Sequence, residues 1–343
     1  MRYKTLLGIG LLMSLWTGVA HAQQFTSGPD PVQYTVSPEA PGPNQPVYIS
    51  LAGIGSFLGD ATISWQENGK TVSSGVGLVN HSVTTGGIGT VTNVTVTIVS
   101  STNGTITHTF NFAPSVVYLV WESNTSAPIF YKGKSLYTPG SPLRVVAVPF
   151  VASGKSLVPT SKLSFQWTRN DNLVPEQSGT GKNVFAFSGD QLLGAETVSV
   201  DVILSGTKVG HTEITIPASQ PMVLLYDRDP LRGELLERAL PASFTLHTSE
   251  ITFQAEPYYF ANASVAAGKV QYTWTLNGQE MTGPDSARGL LTLRQTGQGT
   301  SAATIGITAQ NTDESNYFQT ADESLQMTFG QSTSNAISTF LGI

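Results

Sequence analysis

Three stretches of the chain alternate apolar and polar residues around a tryptophan: Ile63 and Trp65, then Leu163, Phe165 and Trp167, then Val270, Tyr272, Trp274 and Leu276. A period of two is the mark of a strand with one buried face. Three residues after each tryptophan come Asn68-Gly69, Asn170-Asp171 or Asn277-Gly278, types that tolerate the positive φ angles of a tight hairpin turn. A second alternating strand is centred 31, 33 and 31 residues after the tryptophans, at Val94, Val96 and Ile98, at Val198, Val200, Val202 and Leu204, and at Ala303, Ile305, Ile307 and Ala309. A third lies upstream, at Val47, Ile49 and Leu51, at Leu143, Val145 and Ala147, and at Ile251, Phe253 and Ala255.

The tryptophans stand 102 and 107 residues apart, which is one domain-sized period. The pattern predicts an all-β chain of three sandwich units, over 25–113, 114–219 and 220–330, with Trp65, Trp167 and Trp274 in their cores and short linkers near Ala113 and Gln220. Units 2 and 3 share more than the framework. Ala147-x-Pro149-Phe150 matches Ala255-x-Pro257-Tyr258, and the lead-in "YLVWESNTSAPIFYKGKSL" matches "LLYDRDPLRGELLERAL", whereas unit 1 has the Pro-rich "SPEAPGPNQP" there.

A strand with a central tryptophan, a turn and a second alternating strand about thirty residues on resembles the immunoglobulin-like and PKD-like β-sandwich repeats of bacterial exported proteins. The resemblance covers about residues 25 to 330 and implies three tandem immunoglobulin-like sandwiches. It speaks to fold, since such sandwiches serve as spacers and binders alike. The acidic and glycine residues that the PKD pattern carries after its tryptophan are missing here, so the broader immunoglobulin-like label applies.

The first residues change the picture of where the chain works. Arg2 and Lys4 precede an apolar run from Leu6 to Val19 and the small-residue site Ala20-His21-Ala22, the pattern of a secretory signal peptide over 1–22. No later segment is apolar enough over the ~20 residues a bilayer span requires. The expected location is therefore exported: periplasmic, cell-surface or extracellular. Without the leader, 15 basic residues stand against 23 acidic ones, a net charge of −8, which disfavours nucleic acid and anionic lipid as partners. There is no cysteine, so disulfides, thiolate metal sites and a lipidated cysteine are excluded and packing alone holds each unit. In a bacterial protein the sequons at Asn80, Asn93, Asn103, Asn124 and Asn262 are incidental to a Thr/Ser-rich composition.

Candidate chemistry is sparse. His81, His108, His211 and His247 are spread one or two per unit with no ligand spacing, no Gly-x-Ser-x-Gly elbow occurs, and "SGTGKN" at 178–183 lacks the residues and context of a phosphate loop. No catalytic residue and no cofactor is expected. Asp227 and Asp229, beside the second unit boundary with Glu234 and Glu237 nearby, are candidate calcium ligands of the kind that stiffen joints between sandwiches, although Arg228 and Arg232 offset their charge. Tyr258, Tyr259 and Phe260 are candidate binding residues, because three adjacent aromatics cannot all face inward from a regular strand. Phe340, Leu341 and Ile343 end a polar segment, 331–343, that lies outside the repeat and suits docking in a groove or on a sheet edge.

The expected function is that of an exported, non-catalytic modular protein with a structural, adhesion or protein-binding role, its partners being envelope or surface proteins or glycans. A carbohydrate-binding protein, which needs exposed coplanar rings, and a hydrolase using carboxylates, which needs two acids converging in a cleft, are the alternatives.

Overall fold

A computed structural model describes residues 31–53, 57–192, 194–296 and 302–330. The leader, 1–22, and the segment 331–343 with Phe340, Leu341 and Ile343 lie outside the described residues.

Unit 1 holds β1 (Val32–Ser37), β2 (Pro46–Gly53), β3 (Thr62–Glu67), β4 (Lys70–Val76), β5 (Asn80–Thr84), β6 (Thr92–Ser100) and β7 (Gly104–Phe112). They form two facing sheets, β1-β2-β5 and β4-β3-β6-β7. Unit 2 holds β8 (Val116–Ser123), β9 (Pro142–Phe150), the ribbon β10 (Ala152–Ser153) and β11 (Ser156–Leu157), then β12 (Ser164–Arg169), β13 (Asn172–Leu173), β14 (Gly179–Thr180), β15 (Val184–Ser188), β16 (Ala195–Leu204) and β17 (Thr207–Pro217). Its sheets, β15-β9-β8 and β13-β12-β16-β17, repeat the topology of unit 1.

Unit 3 holds β18 (Met222–Asp229), β19 (Gly233–Glu234), β20 (Ser243–Leu246), β21 (Glu250–Tyr258), β22 (Val270–Leu276), β23 (Gln279–Met281), β24 (Leu290–Arg294), β25 (Ala302–Asn311) and β26 (Thr320–Phe329). The repeat gains one outer strand on each sheet here, giving β19-β18-β21-β24 and β20-β26-β25-β22-β23. The fold is thus three immunoglobulin-like sandwiches in tandem, each with its own apolar cluster between the sheets.

Each cluster is built around its tryptophan, and all three rings are fully buried. A buried indole must place its N–H. The three donate alike, to the carbonyls of Leu78 (2.9 Å), Lys182 (2.8 Å) and Ser286 (3.1 Å), each in the segment crossing between the sheets.

The asparagine three residues on has a role beyond the turn. Asn68, Asn170 and Asn277 all have φ near +50°, and Gly69, Asp171 and Gly278 follow them in the left-handed region, as a hairpin of primed type requires. Each asparagine also makes a two-point clamp on the neighbouring strand. Its backbone N–H donates to the carbonyl of Asn93, Thr197 or Thr304 (2.8–2.9 Å), and its Oδ1 accepts the N–H of that same residue (2.8–3.0 Å).

Unit 2 carries one fully buried carboxylate. Glu196 accepts from Arg169 Nε (2.9 Å) and Nη2 (2.8 Å), from Asn170 Nδ2 (2.9 Å) and from the Asp190 amide (2.6 Å), so it ties the hairpin turn to the loop after β15. Burial alone would push its pKa up; the hydrogen bonds from Arg169, Asp190 and Asn170, with the Arg169 charge, outweigh it and hold the carboxyl below the usual range.

Candidate functional site

The aromatic triplet is where the structure departs most from the sequence expectation. Tyr258, Tyr259 and Phe260 are all buried, at 5, 8 and 0% exposure. The strand alternation that would have forced one ring outward ends at Tyr258, because Tyr259 takes φ +63° and turns the chain. Phe260 then enters the core of unit 3, while Tyr258 and Tyr259 join Tyr226 in a separate cluster. The Tyr226 and Tyr258 hydroxyls pair at 3.0 Å, and burial first, with that bond, raises the Tyr258 phenol pKa. No ring of the three is presented to a ligand.

What covers this cluster is the lead-in segment of unit 3. It folds back on β18 through β19, and beyond it the Leu235 amide bonds the Asp227 carbonyl (3.1 Å) and the Leu240 amide the Leu225 carbonyl (2.7 Å). Leu236 and Ala239 close over Tyr226 and Tyr258, helped by Leu136 from unit 2. Asp229 makes the reversal, its carboxylate accepting the Leu231 and Arg232 amides at 2.8 Å each, which holds its pKa down. Burial, and then the Asp229 charge, raises Asp227. The pair therefore builds a turn. No group of three or more His, Cys, Asp or Glu side chains gathers at metal-binding distance among the described residues, whereas calcium takes six to eight oxygens.

Unit 2 uses the matching segment differently. Its Ser126 bonds unit 3, donating its amide to the Phe260 carbonyl and accepting the Tyr259 amide, both at 2.8 Å, and Thr125 pairs with Ala261. The segment is drawn to the joint, and β8 has no strand on its outer side among the described residues. Residues whose counterparts in unit 3 are covered here face solvent. Phe150, the counterpart of Tyr258, is 37% exposed, and Val120, opposite Tyr226 in the repeat, is 58% exposed.

The register places these residues on one face. Val116 lies opposite Phe150, Tyr118 opposite Val148, Val120 opposite Val146, and Glu122 opposite Arg144. The last pair forms an ion pair (3.2 Å) at the end nearest unit 3; the other six side chains are apolar, with Tyr118 and Phe150 edge to face at 5.9 Å. The signal for it is present in the sequence, since "VVYLVW" and "VVAVPF" are apolar at consecutive positions, as strands apolar on both faces must be. On β1, β7 and β17 the outward positions are polar: Gln33, Thr35 and Ser37, Thr105, Thr107 and Thr109, and His211, Glu213 and Thr215.

The opposite edge of the same sheet is closed by a side chain. Gln177 Nε2 donates to the Ala186 carbonyl (2.7 Å) and its Oε1 accepts the Ala186 amide (3.0 Å), occupying the β15 edge as a neighbouring strand would. The site is therefore an edge strand backed by an apolar face, a geometry for surface contact.

No family profile matches the chain, and no curated protein matches it. Among solved structures it is similar to the central fibronectin-III array of RIM-binding protein, at 11% identity and TM-score 0.29 over 88% of this chain and 98% of that one. It is similar also to the fibronectin(III)-like modules of Clostridium thermocellum CbhA (11%, TM-score 0.26, 55% and 95%). A third is Bacteroides ovatus SGBP-B in complex with a mixed-linkage heptasaccharide (9%, TM-score 0.22, 87% and 70%). Likenesses at this level carry no argument about activity. Among the described residues no helix is long and apolar enough to cross a membrane.

Proposed function

We propose that the chain is an exported, non-catalytic modular binding protein of the cell envelope or surface, whose working surface is the outer face of the β15-β9-β8 sheet in unit 2. The observation behind this reading is the contrast within one repeat: the same sheet is covered in unit 3 and bare in unit 2. Burying six apolar side chains is favourable by about 25 cal/mol per Å², and a contiguous exposed apolar face is the usual mark of a contact site. A protein partner suits it better than a glycan, because Tyr118 and Phe150 stand at 80° to each other and offer no coplanar platform for a sugar ring.

A photo-crosslinking residue at Tyr118, with the same residue at Thr107 on unit 1 as control, tests the reading in cells of the source organism. Crosslinks to a discrete protein at 118 and none at 107 are expected; equal, diffuse labelling at both positions would end the idea. Fractionation of the same cells checks export.

A further inference from the structure

The lead-in segment of unit 2 carries a tip that neither the fold nor the sheet face accounts for. Its base is pinned. Thr125 Oγ1 donates to the Leu136 carbonyl (2.7 Å), Ser126 bonds unit 3 on one side, and Tyr137 and Thr138 are buried on the other. Between them residues 129–134, Ile-Phe-Tyr-Lys-Gly-Lys, are all exposed. The Tyr131 amide closes a turn on the Pro128 carbonyl (2.9 Å), so Ile129 and Phe130 are its two central residues, 72 and 65% exposed. Turn centres ordinarily hold Gly, Asn, Asp, Ser or Pro; here two large apolar side chains leave most of their surface in water. The tip is nonetheless built. Tyr131 lies across Gly133, where a Cβ would come within 2.5 Å of its ring, and Lys134 sets its ammonium 3.3 Å from the centre of the Trp121 ring.

We propose that this tip is a membrane-contact site, at which Ile129 and Phe130 enter the interface of an anionic lipid bilayer while Lys132 and Lys134 stay among its headgroups. Apolar side chains at the apex of a turn with lysines behind them match the order in which a bilayer presents its layers. Lysine stems lie along apolar matter while their ammonium groups remain at the polar level.

Charge supports an anionic surface, because the total of −8 conceals an uneven distribution. Residues 114–219 hold eight basic and seven acidic residues, a net +1, whereas 25–113 hold one and four (−3) and 220–330 hold six and twelve (−6). From Ser123 to Asn170 there are six basic residues and no acidic one. Of these, Arg144 and Arg169 are paired with Glu122 and Glu196, and Lys132 and Lys134 follow the apolar apex. Charges more than about 8 Å away are largely screened at physiological salt, so the lysines of the tip, not the total of the chain, set what an anionic surface meets there.

The matching turn of unit 3 supplies a control. Pro230-Leu231 and Arg232-Gly233 stand where unit 2 has Pro128-Ile129 and Lys132-Gly133, and Leu231 is 96% exposed. There Asp227, Asp229, Glu234 and Glu237 outnumber Arg228 and Arg232, so the same surface does not attract it.

With no cysteine in the chain, Phe130→Cys and, separately, Leu231→Cys each take an environment-sensitive fluorophore at one place in the full mature protein. With vesicles of phosphatidylcholine and phosphatidylglycerol, the label at 130 is expected to brighten and shift to the blue, and the label at 231 to stay as in buffer. In flotation with these vesicles, Ile129→Ser combined with Phe130→Ser should weaken binding by roughly tenfold or more. Lys132→Glu, or vesicles of phosphatidylcholine alone, should weaken it by about fivefold or more. Leu231→Ser should leave it unchanged, and all these variants should melt with the parent, since the substituted side chains are exposed.

A full chain that floats with neither vesicle overturns the proposal, as does flotation that survives the double serine variant. Equal loss from Leu231→Ser would mean that any exposed apolar side chain serves, and overturns it too. Equal binding to phosphatidylcholine alone removes the anionic headgroup and with it the stated ligand. None of these outcomes touches the sheet face, which crosslinking at 118 judges separately.

Discussion

The two joints of this chain are built from different materials. Between units 2 and 3 the contacts are neutral and centre on a buried network. Gln319 is 1% exposed; its oxygen accepts the Ala261 amide (2.9 Å) and Asn311 Nδ2 (3.0 Å), and its nitrogen lies 3.1 Å from the hydroxyls of both Thr138 and Ser141. Gln191 donates across to the Ser315 carbonyl (3.0 Å). Between units 1 and 2 the Ser115 amide reaches the Pro41 carbonyl at 3.3 Å, while the Ser115 hydroxyl donates within unit 2, to the Val209 carbonyl. Lys208 stands 3.8 Å from Glu39 but 3.0 Å from Asp201 in its own unit. A cleft of about 400 Å³, lined by Gln45 and His211 among others, remains open there. A buried polar network holds only in one geometry, because every displaced group is left unsatisfied, whereas an exposed ion pair contributes little and tolerates movement. The second joint behaves as a weld and the first as a hinge.

The largest test of that contrast is the loss of a core ring. Trp274→Ala should cost about 3–5 kcal/mol, and in calorimetry the transition of unit 2 should move with that of unit 3. Trp65→Ala should cost a similar amount in unit 1 and leave the rest in place. A Trp274→Ala protein whose unit 2 melts at its original temperature would show that the joint does not couple.

Next in size is Gln319→Ala, which strands the Ala261 amide and Asn311 Nδ2 at about 1–3 kcal/mol for each group left unsatisfied, partly relieved by water, while the Thr138 and Ser141 hydroxyls keep each other and the Tyr259 and Thr138 carbonyls. It should split one shared transition into two. Acid separates the units more gently. The pKa of Glu196 is lowered by folding, so its contribution is fully present above the unfolded value of about 4.3 and is lost as pH falls through the lower folded value. Melting of units 2 and 3 should therefore hold steady down to about pH 5 and fall below about pH 4, with a shallower fall in Glu196→Gln. The smallest effect is expected of Lys208→Ala, under about 1 kcal/mol; hydrogen exchange should quicken at Ser115 and stay unchanged at Ser126.

Much of this was legible in the chain. The tryptophans, the Asn-Gly turns and the period-two strands identify three sandwiches because each rests on residues close in sequence. The weld was not legible, since Ser126, Thr138 and Gln319 belong to segments without periodicity and meet only after both units have folded. For the same reason the aromatic triplet misled: its pattern is that of a strand, but Tyr259 turns the backbone and a segment about twenty residues upstream covers the rings. The clamp made by Asn68, Asn170 and Asn277 shows half its role in sequence, as a turn residue, and hides the half that depends on a strand 25 to 27 residues away.

The side chain of Gln177, bonded to both backbone groups of Ala186, does within one chain what an added strand would do from another. A primary amide sets a donor and an acceptor side by side, ionised glutamate lacks the donor, and asparagine is a carbon shorter. With Ala186 bonded in this way, the β15 edge is closed to an added strand at that residue. Replacing this one residue would return both backbone groups of Ala186 to solvent and leave that edge as unpaired as an ordinary edge strand.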